Sequence, residues 1–332
     1  TNLIVFLFRD RSVVNILLVL LLSVGVHLHI SEQALPPAII AGQQNGLFSY
    51  FLAQYIYNLP IAIQVILFHA LLVTQALRLN MVMQDLRMFS SVNYVPAMTY
   101  VLLSGLLMES NAVTETLVSN SLTLWIFIKL SRLYNNPEPK TLLFNIGIIA
   151  GISILLFHPT AILIVVVLFA LAVVRPFRIA EWLVLMLGVL LPYYFLVVLL
   201  YLNNQFALVS AYLPKISFGS PLHGLDKLYL INLGFVLFAT LVGLYQLQLH
   251  VGRLVIQIRK NWGVMMVLLF TLILSPFLFS IFGTQVLLMG LVPLSATISN
   301  GYSNPKKLIL PNLLFWTALG LIIINNWHLV KI

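Results

Sequence analysis

Two imidazoles and a carboxylate lie within six residues at the end of the first long apolar run, at His27, His29 and Glu32. An imidazole and a carboxylate together bind a divalent cation or pass a proton. On a helix His29 and Glu32 share a face because they are three residues apart, whereas His27 points elsewhere. The pattern makes all three residues candidate metal ligands, and it makes His29 and Glu32 candidate catalytic groups. The alternative is that they are interfacial polar residues that cap a span.

Three further carboxylates, those of Glu109, Glu115 and Asp226, fall on the same predicted side of the membrane as Glu32. Ionisable groups at a membrane boundary are costly unless they are hydrated or paired, so each one is a candidate for a functional role. We therefore add these three residues to the candidate catalytic groups. What they share is their predicted side, since no catalytic motif joins them.

The composition is that of a chain embedded in lipid. Of its 332 residues 61% are hydrophobic and 8% are charged, whereas a soluble globular protein has about 25% charged residues. Apolar runs of about 18 to 20 residues recur from end to end, and each can cross a hydrocarbon core of about 30 Å. Helices satisfy their own backbone in lipid. We therefore predict an all-α fold, a polytopic transmembrane helix bundle in which residues 1–332 form a single integral membrane domain.

Eleven spans are predicted, or ten if a short one is a half-span or a re-entrant helix. The short ones are Thr116–Lys129 and Gln285–Ile298. The other nine are Val13–Ile30, Ile61–Leu79, Val92–Met108, Leu142–Phe157, Ala161–Val174, Trp182–Tyr201, Leu228–Leu249, Val264–Phe282 and Leu308–Trp327. Residues 31–59 and 203–227 form the two long outer loops. The first of these starts polar and then becomes aromatic, which predicts one or two helices at the membrane interface.

The positive charge reports topology rather than nucleic-acid binding. With the N-terminus in the cytoplasm, fourteen of the seventeen Lys and Arg residues fall on the inner side, and Lys215, Lys227 and Lys331 fall outside. This is the positive-inside bias of a multi-pass protein. An odd number of spans then places the C-terminus outside. We predict that four inner-side cations contact lipid phosphates: Arg175, Arg178, Arg259 and Lys260.

Several familiar motifs are absent from the sequence. It contains no cysteine, which excludes disulfide frameworks and thiol catalysis. It also contains no phosphate-binding loop of the Gly-Xaa-Xaa-Xaa-Xaa-Gly-Lys-Ser/Thr type and no His-Glu-Xaa-Xaa-His zinc motif. We therefore predict no cofactor.

Short motifs in the middle of the chain carry a family resemblance. They include Asn93-Tyr94-Val95-Pro96-Ala97, the run from Phe144 to Gly151, Phe157-His158-Pro159 and Arg175-Pro176-Phe177-Arg178. Residues 60–205 resemble a family of polytopic inner-membrane proteins from Bacteroidota, a domain to which no activity is assigned. The resemblance implies a multi-pass protein of the bacterial inner membrane.

The order of these elements is also similar to the membrane half of the GT-C glycosyltransferases. That resemblance implies a GT-C-like helix arrangement, a polyprenyl-phosphate-linked sugar as substrate, and an acidic motif in the first outer loop. The matching position holds Ser31-Glu32, a single acid where the family often has a pair. A divalent metal is expected only if this activity is present.

Three hypotheses for the function follow. In the first, the chain is a non-catalytic inner-membrane subunit that anchors or docks partners of a cell-envelope complex, such as one for secretion, surface-protein export or motility. In the second, it is a GT-C-like transferase or polymerase with Glu32 as base or metal ligand. In the third, it is a transporter or lipid flippase. The predicted partners are membrane lipids and other envelope proteins in a hetero-complex, not nucleic acid.

Overall fold

Helices build the chain in the computed structural model, which describes residues 4–10, 12–28, 46–108, 112–221 and 225–326. The described residues contain no strand, as the all-α prediction requires. The helices are α1 (Ile4–Arg9), α2 (Val14–His27), α3 (Leu47–Phe51), α4 (Ile61–Asp85), α5 (Val95–Leu107), α6 (Glu115–Ser131), α7 (Pro139–Leu156), α8 (Ile162–Val174), α9 (Ile179–Leu202), α10 (Lys227–Val251), α11 (Ile256–Leu278), α12 (Leu291–Ser303) and α13 (Ile309–Asn326). A π-helical turn at Leu52–Ile56 continues α3, and 3-10 turns lie at His158–Ala161, Phe206–Tyr212 and Ser280–Gly290.

Six helical segments within the described residues are long and apolar enough to cross a membrane, judged by length and composition. They are α4, α7, α9, α10, α11 and the combined stretch Ser280–Ser303. Other predicted spans fall on shorter helices, among them α2, α5, α8 and α13. The chain thus has the helices of a membrane bundle, and the count of eleven spans stays a prediction. A helix is present at Leu47–Ile56, within the segment predicted to be the first outer loop; its side of the membrane and its location at the interface are likewise still predictions.

Two short helices, α5 and α12, form the centre of the bundle. Every residue of α5 is buried, and α12 is buried from Leu291 to Tyr302. The helices α2, α4, α10, α11 and α13 pack around them. The hydroxyl groups of Ser295, Thr297 and Ser299 donate to carbonyl oxygens one turn earlier in α12. These polar side chains are therefore satisfied within their own helix, and their small size lets neighbouring helices approach closely.

Side chains from the basic turns connect several helix ends. Arg175, after α8, donates to the carbonyl oxygen of Leu133, after α6, at 2.9 Å. Lys260, near the start of α11, donates to the carbonyl oxygen of Val174 at 2.8 Å, and Arg9 donates to carbonyl oxygens at the end of α12. The ends of α1, α6, α8 and α12 and the start of α11 therefore share one end of the bundle. We name it the basic end, and we name the opposite end the far end.

Candidate functional site

A buried polar face runs along α6 from the far end. It starts at the capping residue Thr114, whose Oγ1 accepts a hydrogen bond from the backbone N–H of Leu117 at 3.2 Å, a common N-cap arrangement. We call its side chains the polar stripe: Glu115, Thr116, Ser119, Asn120 and Thr123, each at most 3% exposed. Residues three or four apart share a helix face, so this spacing keeps polar atoms together inside the bundle.

The carboxylate of Glu115 is the only ionisable group of the polar stripe. It is 3% exposed, and within the described part of the chain it makes no hydrogen bond or ion pair. The hydroxyl of its neighbour Tyr57 donates to the carbonyl oxygen of Val113 at 3.1 Å. Burial raises the pKa of Tyr57, and the nearby carboxylate raises it further. A buried charge without a partner costs several kcal/mol, so this carboxylate is a candidate to bind a cation or a hydrogen-bond donor of a ligand.

Two neutral oxygens of the polar stripe resemble the Glu115 carboxylate in lacking a donor. Thr116 Oγ1 and Asn120 Oδ1 are buried and accept no hydrogen bond from any described residue. Asn120 Nδ2 is engaged, since it donates to the carbonyl oxygen of Leu288 at 2.8 Å. Thr116 and Asn120 are four residues apart and therefore share a face of α6. Oxygen acceptors of this kind suit a water molecule or a hard cation.

A second polar cluster lies between α2 and α4. The ring centroids of His27 and His69 are 5.7 Å apart, with ring planes at 73°. His27 Nδ1 lies 2.8 Å from the carbonyl oxygen of Ser23, which places a proton on that nitrogen. The hydroxyl of Ser23 lies 2.9 Å from His69 Nδ1. The two imidazoles line a groove of about 620 Å³ between α2 and α4, and such an arrangement can relay a proton.

The predicted far-end residues divide into those that the structure describes and those that it does not. His29, Glu32 and Glu109 lie outside the described residues, so their roles stay predictions. Asp226 is exposed just before α10, and no hydrogen bond or ion pair joins it to Glu115. No group of three His, Cys, Asp or Glu side chains that could hold a metal occurs in the described ranges. The metal site predicted from His27, His29 and Glu32 therefore remains a prediction.

The four cations predicted to contact lipid phosphate differ in their surroundings. Arg175 Nε lies 3.2 Å from the buried Glu181 carboxylate, and the guanidinium also bonds backbone carbonyls. Lys260 is partly buried, with its ammonium 4.9 Å from the centroid of the Tyr134 ring. Both side chains join basic turns to one another. Arg178 and Arg259 are exposed. Arg178 Nη1 lies 3.9 Å from the Glu181 carboxylate, so Arg259 is the one of the four that a lipid phosphate reaches without displacing a contact to a described residue.

Sequence reasoning selected Glu115 and His27 but missed their surroundings. It did not join His69 to His27, because 42 residues separate the two positions. It also did not identify the polar stripe, although three-and-four spacing of polar residues over 115–123 was the available signal. No family model, no curated protein and no solved structure matches the chain. The Bacteroidota and GT-C resemblances therefore remain predictions.

Proposed function

We propose that the chain is a non-catalytic integral subunit of the bacterial inner membrane that docks partner proteins of a cell-envelope complex. Its N-terminus lies in the cytoplasm and, with eleven spans, its C-terminus lies in the periplasm. The six long apolar helices support a place in the membrane. The observation that carries the docking role is an exposed apolar segment, residues 203–221, at the far end.

The 203–221 segment follows α9 and displays large apolar side chains. Phe218 is 80% exposed and Ile216 is 63% exposed. The segment is held in place by backbone pairing with the end of α11: Ser217 N–H donates to the carbonyl oxygen of Leu278 at 2.9 Å, and Ser280 N–H donates to that of Ser217 at 3.0 Å. The apolar side chains are therefore presented on a supported surface.

The backbone of the 203–221 segment argues against immersion in lipid. Over residues 213–219, backbone-to-backbone hydrogen bonds within the described chain involve only Ser217 and Gly219. Unpaired backbone groups cost several kcal/mol each in hydrocarbon, so irregular chain does not face lipid. The segment thus lies outside the hydrocarbon core, where a contiguous exposed apolar patch is typical of a protein interaction surface.

Photo-crosslinking in native membranes tests the docking role. A benzophenone side chain placed at position 218 is expected to form one discrete adduct with another envelope protein. The matched control is position 270, a phenylalanine of α11 that is 59% exposed on the bundle surface and should crosslink to lipid alone. Ile216→Asp should weaken the adduct, because a charge replaces an apolar contact. Lipid-only labelling at position 218 would contradict the proposal.

A second candidate function, a GT-C-like transferase of a polyprenyl-phosphate-linked sugar, is favoured by the buried Glu115 carboxylate. A carboxylate in a dry site is suited to act as a general base on an acceptor hydroxyl. It begins α6 at the far end, whereas Arg178 and Arg259 lie near the basic end. A helix of 17 residues separates the two levels by about 25 Å, so one lipid phosphate does not reach both. The phosphate would need far-end partners.

The variant Glu115→Gln tests this second function because it removes the charge and keeps the shape. If the chain is a transferase that uses Glu115 as base, membranes carrying the variant should lose product by at least about 100-fold, the usual contribution of a general base. Glu138→Gln, the same change at an exposed carboxylate outside the candidate catalytic set, is the matched control. Unchanged glycan in membranes with equal amounts of the Glu115→Gln protein would eliminate the transferase.

A further inference from the structure

Trp125 of α6 stands between two apolar grooves on the surface of the bundle and is 50% exposed. The first groove, of about 260 Å³, lies between α4 and α6 and is lined by Leu71, Leu124 and Ile128. The positively charged side chain that lines this groove is that of Arg78 in α4. The indole ring of Trp125 forms one wall of this groove, and its opposite side forms one wall of the second groove.

The second groove, of about 330 Å³, lies between α6 and α7. Leu122, Ile148 and Ile152 line its apolar part, and Lys129 and Asn145 contribute the polar groups. Lys129 is two residues from the end of α6, close to the basic end. Each groove therefore has an apolar part and one cation, and the two grooves lie on either side of the Trp125 ring.

The two groove cations differ from the cations that hold the basic turns together. Arg78 is exposed and Lys129 is half-buried, and neither makes a hydrogen bond or ion pair with any described residue. Arg175 and Lys260, by contrast, bond backbone carbonyls of neighbouring turns. A cation that lines an apolar groove without a partner is costly in the membrane, and an anionic ligand offsets that cost.

We propose that the two grooves hold the acyl chains of one anionic diacyl phospholipid, with Trp125 between the chains and the phosphate held by Arg78 and Lys129. The two adjacent grooves match two acyl chains, and the two cations, which bond to none of the described residues, match a headgroup with a net negative charge. Arg78 is seven residues from the end of α4, and an arginine side chain is long enough to bring its guanidinium closer to the headgroup level. The site is independent of whether the chain docks partners or catalyses transfer.

Fluorescence quenching in vesicles tests the site. The purified full chain is reconstituted into phosphatidylcholine vesicles containing a small fraction of acyl-brominated phosphatidylglycerol or acyl-brominated phosphatidylcholine. The brominated phosphatidylglycerol should quench more at equal fraction. The chain has five tryptophans, so Trp125→Phe identifies the source: the difference between the two lipids should disappear in that variant. A difference that persists without Trp125 would overturn the proposed position.

The paired change Arg78→Gln and Lys129→Gln tests the role of charge. Each cation near an anionic surface strengthens lipid binding about fivefold, so the double variant should lose roughly 30-fold of the preference for phosphatidylglycerol. Neither side chain bonds to a residue that the structure describes, so the change leaves no described partner unpaired. The matched control is Arg253→Gln with Lys307→Gln, two exposed cations outside the grooves and outside the predicted phosphate contacts, and it should keep the preference.

Three further results would overturn this proposal. One is equal quenching of the wild-type chain by the two brominated lipids. Another is an equal loss of preference in the control pair and the groove pair, which would show a general surface charge effect. The third is removal of the preference by millimolar inorganic phosphate at constant ionic strength, which would show a site for a soluble anion.

Discussion

The contact between α7 and α9 depends on three glycines that let the two backbones touch. A Cβ atom at Gly147 would lie against the carbonyl oxygen of Leu185 and 2.9 Å from the Cα of Gly188. A Cβ atom at Gly151 would lie 2.5 Å from the carbonyl oxygen of Val189. The obstructing atoms belong to backbone, so no side-chain rotation relieves the clash. Gly147→Ala must therefore push the two helices apart.

The expected cost of Gly147→Ala follows from two opposing effects. Overpacking costs about 1–3 kcal/mol, and a backbone obstruction favours the upper end of that range. Alanine is a better helix former than glycine by up to about 1 kcal/mol, which offsets part of the loss. The net expectation is a destabilisation of about 2 kcal/mol, or roughly a 30-fold shift in the unfolding equilibrium.

Unfolding of the purified protein in mixed detergent micelles, titrated with SDS and followed by tryptophan fluorescence, measures this cost. The control is Gly234→Ala in α10, a helical glycine at which an added Cβ meets no atom within 4 Å. It should leave stability unchanged or slightly raised. If Gly147→Ala and Gly234→Ala agree to within about 0.5 kcal/mol, the close packing of α7 on α9 is refuted.

Two buried polar networks should respond to the same titration. Gln75→Leu removes the atom that accepts the hydrogen bond of the Tyr100 hydroxyl (2.8 Å) and should lower the stability by about 1–3 kcal/mol. Adding Tyr100→Phe removes the orphaned hydroxyl and should restore part of that stability. No recovery in the double variant would argue against the hydrogen bond. Glu181→Gln removes the negative charge that faces Arg175 at 3.2 Å and should lower the stability by about 2 kcal/mol. This is less than the roughly 3–5 kcal/mol lost when a fully buried ion pair is broken, because Arg175 keeps its hydrogen bonds to backbone carbonyls. Wild-type stability of the variant would contradict this pairing.

Charge counting anticipated one feature of the fold well. It placed the basic turns on one side, and the bonds of Arg175, Lys260 and Arg9 bring turns far apart in sequence to one end of the bundle. Hydropathy located the helices but did not show which of them are central. The apolar runs of α5 and α9 look alike, yet α5 is wholly buried and α9 is largely exposed. In lipid both environments are apolar, so composition does not separate them.

The candidate site was only partly predictable for a related reason. Glu115 was selected because an acid at a span boundary is unusual, but its burial depends on neighbours that α6 meets only in the fold. The pairing of His27 with His69 likewise needs the approach of α2 to α4. The glycine contact, by contrast, had a readable signal, since Gly147 and Gly151 form a Gly-Xaa-Xaa-Xaa-Gly motif.

The central helix α5 has 13 residues and is therefore about 20 Å long, some 10 Å less than the hydrocarbon thickness of a typical bilayer. Both of its ends, at Val95 and Leu107, are buried by neighbouring helices. The longer helices around it must therefore supply the rest of the thickness and the contact with lipid. Substitutions that separate α5 from α12 should accordingly destabilise the whole bundle rather than one edge of it, because both helices are buried at its centre.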